Sequence, residues 1–239
     1  MRTTLSHRTY ESGSNPRHSI VWLHGLGADG SDFAPIADQL QLPVPVRYIF
    51  PDAPLLPVTI NGGMVMRAWY DIAAPDIEAR QDADGIRASQ SLIEELVALE
   101  VEQGIAQENI YLAGFSQGGA VALHTAMRQT VALGGVLALS TYLPLADSAA
   151  GEALAATRNT PIFMAHGRSD PVIPCALGQN SRDALLRLGY TVEWHEYPMP
   201  HSVCDEELRD IGDWLTRQIR QETIVLCVSR FHVARSFFN

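Results

Sequence analysis

The chain lacks the features that mark disulfide-stabilised, secreted or membrane-spanning proteins. Only three cysteines occur in 239 residues, Cys175, Cys204 and Cys227, with no C-x-x-C pair among them. An odd number of scattered cysteines argues against a disulfide framework and fits a reducing compartment. No apolar run reaches the length of a membrane span, and residues 1–18 contain no apolar secretory core. We therefore expect a cytoplasmic protein without stable membrane insertion.

Basic residues are also scarce. Lys and Arg number 17 against 27 Asp and Glu, which gives a formal net charge of −10. Without a basic stripe to replace phosphate counterions, nucleic acid is not an expected partner. Histidines and carboxylates show no metal-ligand spacing, so no metal is expected. The remaining composition, 46% hydrophobic and 18% charged, is typical of one globular domain with a sizeable core.

Strand-like and helix-like segments alternate along most of the chain. This alternation predicts βαβ units, and hence an α/β fold with a mostly parallel central sheet and helices on both faces. Ser31 and Asp84 are predicted to cap the helices that follow them. The alternation ends at Arg220, so we predict one domain over residues 1–220 and an apolar C-terminal tail of unknown role over residues 221–239.

Residues 51–75 interrupt this pattern. They contain several prolines and glycines, yet they also carry large apolar side chains. Loops of this length in compact domains are usually functional or disordered, and the apolar content argues against disorder. We predict a fixed, functional loop.

The most informative stretch is residues 109–119, NIYLAGFSQGG. A buried strand runs into Gly-x-Ser-x-Gly, and helical sequence follows. In that context a sharp turn holds the serine, here Ser116, in a strained backbone conformation with its hydroxyl exposed. Gly114 and Gly118 allow the strand and the helix to pass closely. The pentapeptide alone is only suggestive, because a chain of this length contains a random match roughly one time in twelve.

A serine nucleophile also needs a base and a carboxylate that orients the base. In α/β-hydrolases these follow the serine in the order Asp or Glu, then His. Asp170 comes directly after a predicted strand at residues 161–165. Asp147 lies farther into its loop, and Asp183 falls inside a predicted helix. Asp170 is therefore the predicted acid.

Three histidines follow Asp170. His195 lies within an alternating strand and His232 in the tail, whereas His201 stands in the loop between the last strand and the last helix. From that loop a base can turn back towards Ser116. Ser116, Asp170 and His201 thus follow three different strands, and together they predict a catalytic triad.

Attack on an acyl carbon produces an oxyanion, which needs N–H donors held in place. The backbone N–H of Gln117, directly after the nucleophile, is one predicted donor. The second should come from the glycine-rich loop after the strand at residues 19–23. Leu26 is our choice there, and Gly25 and Gly27 remain alternatives.

Two further histidines are interpreted as structural. His24 precedes the serine, so we predict that it hydrogen-bonds locally and holds the glycine-rich loop. His166 is predicted to fix the loop that presents Asp170.

An acyl chain needs an apolar surface above the serine. Apolar residues on the loops predicted to surround Ser116 are candidates, although each is also a plausible core residue. The predicted substrate-binding residues are Leu56, Met64, Trp69, Tyr142, Leu143 and Val172.

Six motifs together resemble the bacterial carboxylesterases of the acyl-protein thioesterase-like (lysophospholipase/carboxylesterase) family. They are HGLGADGSDF, MRAWYDI, GFSQGG, LSTYLP, AHGRSDPVIP and YPMPHSV, in the order of the family and within about residues 5–220. The resemblance implies an α/β-hydrolase fold without a large lid domain and a triad of Ser116, Asp170 and His201. It also implies hydrolysis of carboxylic esters or thioesters with no cofactor, frequently by a homodimer. The tail after Arg220 has no counterpart in that pattern.

The leading hypothesis is a carboxylesterase that cleaves short to medium acyl esters through an acyl-enzyme. A lysophospholipase or acyl-protein thioesterase would share every catalytic residue and differ in the groove. A non-catalytic hydrolase-fold binding protein is disfavoured, because the serine, the acid and the base are all present. A peptidase ranks lower because the resemblance indicates esters. The expected partner is a small-molecule ester or thioester.

Overall fold

The computed structural model describes the backbone of residues 5–74 and 81–235, with side chains described up to residue 220. Nine strands and six α-helices alternate along it. The strands are β1 (His7–Glu11), β2 (His18–Leu23), β3 (Val46–Pro51), β4 (Leu55–Val58), β5 (Met64–Arg67), β6 (Ile110–Phe115), β7 (Gly135–Leu139), β8 (Ile162–Gly167) and β9 (Val192–Tyr197). The helices are α1 (Ile36–Gln39), α2 (Ala83–Glu102), α3 (Gln117–Ala126), α4 (Ala146–Glu152), α5 (Cys175–Arg187) and α6 (Asp205–Arg235).

Seven of these strands form the central sheet, in the order β1-β3-β2-β6-β7-β8-β9. Only β1, at one edge, pairs antiparallel. The other neighbouring pairs are parallel, which confirms the predicted mostly parallel sheet. Leu23 at the end of β2 is in register with Gly114 near the end of β6. The glycine-rich loop after β2 therefore begins beside the turn that carries Ser116.

Each face of the sheet packs against helices. In β6, Leu112 belongs to the core formed with α2, α3 and α5, whereas Tyr111 and Ala113 belong to the core formed with α1 and α6. Successive strand residues point to opposite faces, so a run of buried residues fills both cores. This is the α/β-hydrolase arrangement. The segments between strands are single helices, turns or a hairpin, and the described residues contain no large lid.

Residues 51–75 are more regular than predicted. They contain an antiparallel hairpin of β4 and β5, in which Leu55 pairs with Arg67 and Val58 with Met64. A short 3₁₀ turn and two glycines with positive φ, Gly62 and Gly63, connect the strands. Each strand has only four residues and β4 contains a proline, so the pattern is too short to be recognised in the sequence.

Both predicted helix caps are wrong. Helix α1 begins at Ile36 without a side-chain cap, and the Ser31 hydroxyl donates to Asp29 instead. Helix α2 is capped by Asp82, which accepts from the Gly85 N–H at 3.0 Å, while Asp84 lies inside the first turn. With acids at both positions, the sequence does not show which one precedes the helix.

Helix α6 continues past Arg220, where the sequence predicted its end, to Arg235. The domain boundary at residue 220 stays a prediction, no role is assigned to residues 221–239, and residues 236–239 lie outside the described part of the chain. None of the described helices is both long and apolar enough to cross a membrane.

Candidate active site

The turn between β6 and α3 confirms the predicted strained conformation of Ser116. Its φ is 55° and its ψ −120°, a region that residues other than glycine rarely adopt. Two contacts hold this geometry. The Ser116 N–H donates to the Leu139 carbonyl at 2.9 Å, and the Thr141 hydroxyl donates to the Ser116 carbonyl at 2.6 Å. The serine is thus fixed between the ends of β6 and β7.

Glycines at the turn allow a very close approach of strand and helix. A Cβ placed on Gly114 would lie 2.3 Å from the Gly118 carbonyl carbon. A Cβ on Gly118 would lie 2.4 Å from the Leu23 carbonyl oxygen. No side chain fits at such distances without displacing backbone, so the predicted role of both glycines is confirmed.

We expect Gly118→Ala to destabilise the protein by about 3 kcal/mol or more, because the obstacle is the backbone of β2 and cannot rotate away. To accommodate the new methyl group, α3 must move away from β2, and this movement should displace Ser116 and lower kcat. Gly151→Ala is the matched control, since Gly151 also lies in a helix but a Cβ there would have nothing within 4 Å. Urea unfolding and kcat should both separate the two variants. Equal stability of the two would contradict the close packing.

Asp170 and His201 lie together, as their positions after β8 and β9 predict. The His201 Nδ1 donates to Asp170 Oδ2 at 2.7 Å, and the ring of His201 packs on that of Phe115 with centroids 4.6 Å apart. Asp170 Oδ1 accepts from the N–H groups of Val172 and Ile173 at 2.8 and 2.9 Å. Since Nδ1 carries the proton, Nε2 is the nitrogen left to act as a base. Phe115 directly precedes Ser116, so the His201 ring packs against the residue next to the serine.

His166 is buried behind the acid. Its Nε2 lies 2.8 Å from the Ile173 carbonyl and 3.4 Å from Asp170 Oδ2. Burial lowers the pKa of His166, which favours the neutral ring at pH 7. A neutral histidine that donates from Nε2 ties the 170–173 loop to β8, the structural role predicted for it.

The loop after β2 offers few backbone N–H groups to an oxyanion. Gly27 donates to the Arg67 carbonyl at 2.9 Å and is therefore already paired. For Leu26, no acceptor is found among the residues that the structure describes. Gln117 is the first residue of α3, so its N–H has no acceptor within the helix. The Gly25 N–H likewise has no acceptor among the described residues. The geometry thus disfavours Gly27 as the second donor and leaves Leu26, with Gly25 as its alternative, beside the predicted first donor Gln117.

The side chain of Gln117 has a role that the sequence did not reveal. Its Oε1 accepts from the Trp69 N–H at 2.8 Å, and its Nε2 donates to the Tyr70 carbonyl at 2.7 Å. Tyr70 in turn shares a 2.7 Å hydrogen bond with the hydroxyl of Tyr142. Gln117 therefore connects the nucleophile turn to the segment after β5. Because these partners are backbone groups, no residue type in the sequence could indicate them.

The predicted substrate-binding residues divide into two groups. Met64 and Val172 are 63% and 56% exposed, and Leu56 is partly exposed. In contrast, Trp69, Tyr142 and Leu143 are buried. The Trp69 indole donates to the His24 carbonyl at 2.9 Å. The first group is thus at least partly exposed and the second is buried, and a role of either group in binding substrate stays a prediction.

Within the described part of the chain, no three His, Cys, Asp or Glu side chains are grouped so that they could hold a metal ion.

The chain is similar to known proteins over most of its length. A family model described as phospholipase/carboxylesterase matches residues 6–219. Acyl-protein thioesterase 1 of Neurospora crassa is 40% identical over 216 residues, which cover 85% of this chain and 88% of the relative. Acyl-protein thioesterase 1 of Gibberella zeae is 37% identical over 221 residues, covering 88% and 94%. These relatives are fungal and do not support the narrower bacterial group that the motifs suggested.

Solved structures are also similar to this chain. The crystal structure of Zea mays acyl-protein thioesterase 2 is similar with a TM-score of 0.76 and 30% identity, covering 88% of this chain and 98% of that one. The crystal structure of Arabidopsis thaliana SOBER1 is similar with a TM-score of 0.81 and 31% identity, covering 85% and 99%.

Proposed function

Because the chain belongs to the phospholipase/carboxylesterase family of serine hydrolases, we propose that it hydrolyses acyl thioesters and esters through a Ser116–His201–Asp170 triad. The observation that carries this proposal is the 2.7 Å contact of His201 Nδ1 with Asp170, beside the strained turn of Ser116. That arrangement leaves Nε2 unprotonated and able to take a proton from the serine.

The chemistry has two acyl-transfer steps. Ser116 Oγ attacks the acyl carbon while His201 Nε2 takes its proton, and the carbonyl electron pair moves onto the oxygen. The N–H groups of Leu26 and Gln117 stabilise that oxyanion. Collapse expels the thiolate or alkoxide, which receives the proton from His201. Water, deprotonated by His201, then releases the acid and restores Ser116, and Asp170 stabilises the imidazolium in both steps.

An acylated cysteine is the preferred substrate in this proposal. The names of the fungal relatives support it, at 37–40% identity over most of the chain. The exposed side chains of Met64 and Val172 offer apolar surface to an acyl chain.

A carboxylesterase of short to medium acyl esters is the second candidate. The family description itself supports it, and it uses the same Ser116, His201 and Asp170. A homodimer remains a prediction that rests on the resemblance alone.

A substrate panel tests the proposal. We expect kcat/KM for an S-acyl cysteine peptide to exceed that for the matched O-acyl serine peptide, a lysophospholipid and a short-chain aryl ester, when the acyl chains are the same where chemistry allows. Ser116→Ala should abolish every signal, which assigns the turnover to this site. A preference for the short aryl ester would replace the thioesterase proposal with the carboxylesterase one. No turnover of any substrate would overturn both.

A further inference from the structure

Beside the site, both ring nitrogens of His24 form hydrogen bonds with the backbone. His24 follows β2 and is buried. Its Nε2 lies 3.0 Å from the backbone nitrogen of Ala53, and its Nδ1 lies 2.7 Å from the carbonyl oxygen of Gly25. The Ala53 N–H can only donate, so Nε2 must accept. A neutral ring then carries its proton on Nδ1, which donates to Gly25. Burial lowers the pKa of His24, in agreement with a neutral ring at pH 7.

The Gly25 carbonyl determines the direction of the next N–H. The peptide bond between Gly25 and Leu26 is trans, so the Gly25 C=O and the Leu26 N–H point in opposite directions from one plane. That carbonyl also accepts from the Ala28 N–H at 3.3 Å, so the 2.7 Å contact with His24 is the shorter of the two that hold it. A carbonyl held towards the His24 ring turns the Leu26 N–H away from that ring. Gly25 itself adjoins the nucleophile, because a Cβ built on it would lie 3.6 Å from Ser116 Cβ.

We infer that His24 is a positioning residue for the oxyanion hole, whose Nδ1–H sets the orientation of the Gly25–Leu26 peptide and hence of the Leu26 N–H. This inference rests on the proposed function, since the oxyanion exists only if Ser116 attacks an acyl group. His24 touches no reacting atom. It acts through the peptide plane.

The surrounding contacts make His24 a rigid anchor. Its own carbonyl accepts from the Trp69 indole, and the two rings lie 5.4 Å apart. Arg67 donates to the Ala53 carbonyl at 2.8 Å, which fixes the residue whose N–H meets Nε2. The backbone of His24 is thus held by Trp69 and its Nε2 by Ala53, which fixes the direction in which the Nδ1–H donates to Gly25.

Two amide variants distinguish the contributions of the hydrogen bonds made by the two ring nitrogens of His24. In His24→Asn the side-chain NH₂ occupies the place of Nδ1 and retains a donor to Gly25, but nothing reaches Ala53. In His24→Gln the amide oxygen occupies the place of Nε2 and accepts from Ala53, but the side-chain donor to Gly25 is lost and only the longer bond from the Ala28 N–H remains. Each variant loses one buried hydrogen bond, so the two should lose similar stability. A difference in kcat between them then reports the orientation of the Gly25 carbonyl.

We expect His24→Gln to lower kcat by roughly 10- to 100-fold with little change in KM, short of the about 10²–10³-fold effect of deleting a donor. His24→Asn should stay within roughly threefold of wild-type kcat. A trifluoromethyl ketone, which Ser116 converts to a hemiketal oxyanion, should lose affinity in His24→Gln in proportion to kcat/KM. His124→Gln controls for replacing a buried histidine, because His124 lies near the end of α3 opposite Ser116.

Each outcome has a defined meaning. Equal kcat in the two His24 variants, or a loss confined to KM, would overturn the inference while the proposed function stands. A wild-type protein that turns over no acyl substrate would overturn both. Nitrogen-15 NMR of the wild-type imidazole provides a test that needs no variant to fold: a His24 proton on Nδ1 supports the inference, and a proton on Nε2 contradicts it.

Discussion

Replacing Ser116 with alanine is expected to lower kcat by about 10⁶-fold for any acyl substrate while the fold remains intact. The hydroxyl is the only proposed nucleophile, and alanine fits wherever serine does. The strained backbone is held by contacts of the main chain with Leu139 and Thr141, which the substitution does not touch. Steady-state kinetics and a thermal unfolding curve measure the two parts of this result.

Covalent labelling provides the control. A fluorophosphonate should modify wild-type Ser116 and leave Ser116→Ala unlabelled. Ser91→Ala, on an exposed position of α2, should label and turn over like the wild type. An adduct mapped to any other serine, or near-normal turnover by Ser116→Ala, would show that the nucleophile lies elsewhere.

The second large effect is expected for Asp170→Asn, which should lower kcat by about 10⁴-fold with only a modest loss of stability. The direction of the new amide is set by its surroundings. Oδ1 accepts from the N–H groups of Val172 and Ile173, so the amide oxygen must take that place. The NH₂ group then faces His201 Nδ1. To avoid two opposed donors, His201 must move its proton to Nε2, where it can no longer accept the proton of Ser116.

Asp147→Asn is a suitable control, since Asp147 is exposed in the first turn of α4 and none of the hydrogen bonds found among the described residues joins it to His201. Combining Asp170→Asn with Ser116→Ala should cost almost nothing beyond Ser116→Ala alone, because triad members act as a unit. Additive losses would mean that Asp170 contributes by a route other than His201.

The sequence predicted the parts of the site that depend on chain order and residue type. Ser116 and Asp170 each follow a strand indicated by a short apolar run, and His201 follows one indicated by alternation; parallel strands bring their carboxyl ends to one edge. The parallel sheet and its two helix-covered faces follow from the alternation of strands and helices.

The parts that the sequence could not give depend on backbone partners. Gln117 is an ordinary polar residue in the sequence, and its contacts with the N–H of Trp69 and the carbonyl of Tyr70 exist only after folding. The β4–β5 hairpin is likewise made by backbone pairing of segments too short to show a period. Trp69 looked like a ligand contact because it is large and apolar, but its indole N–H turns inward to His24.

The contact of Gln117 with the segment after β5 also constrains how this protein can change. The hairpin that exposes Met64 continues within a few residues into Trp69 and Tyr70. The backbone of these two residues is hydrogen-bonded to the side chain of Gln117, which directly follows the nucleophile. A substitution that tilts the hairpin to accept a different acyl chain will therefore pull on Gln117 and disturb the alignment of its N–H. Acyl-chain preference and kcat are therefore coupled in this protein. Variants selected for a new acyl chain should first show a lower kcat and should recover it only through further substitutions near residue 117.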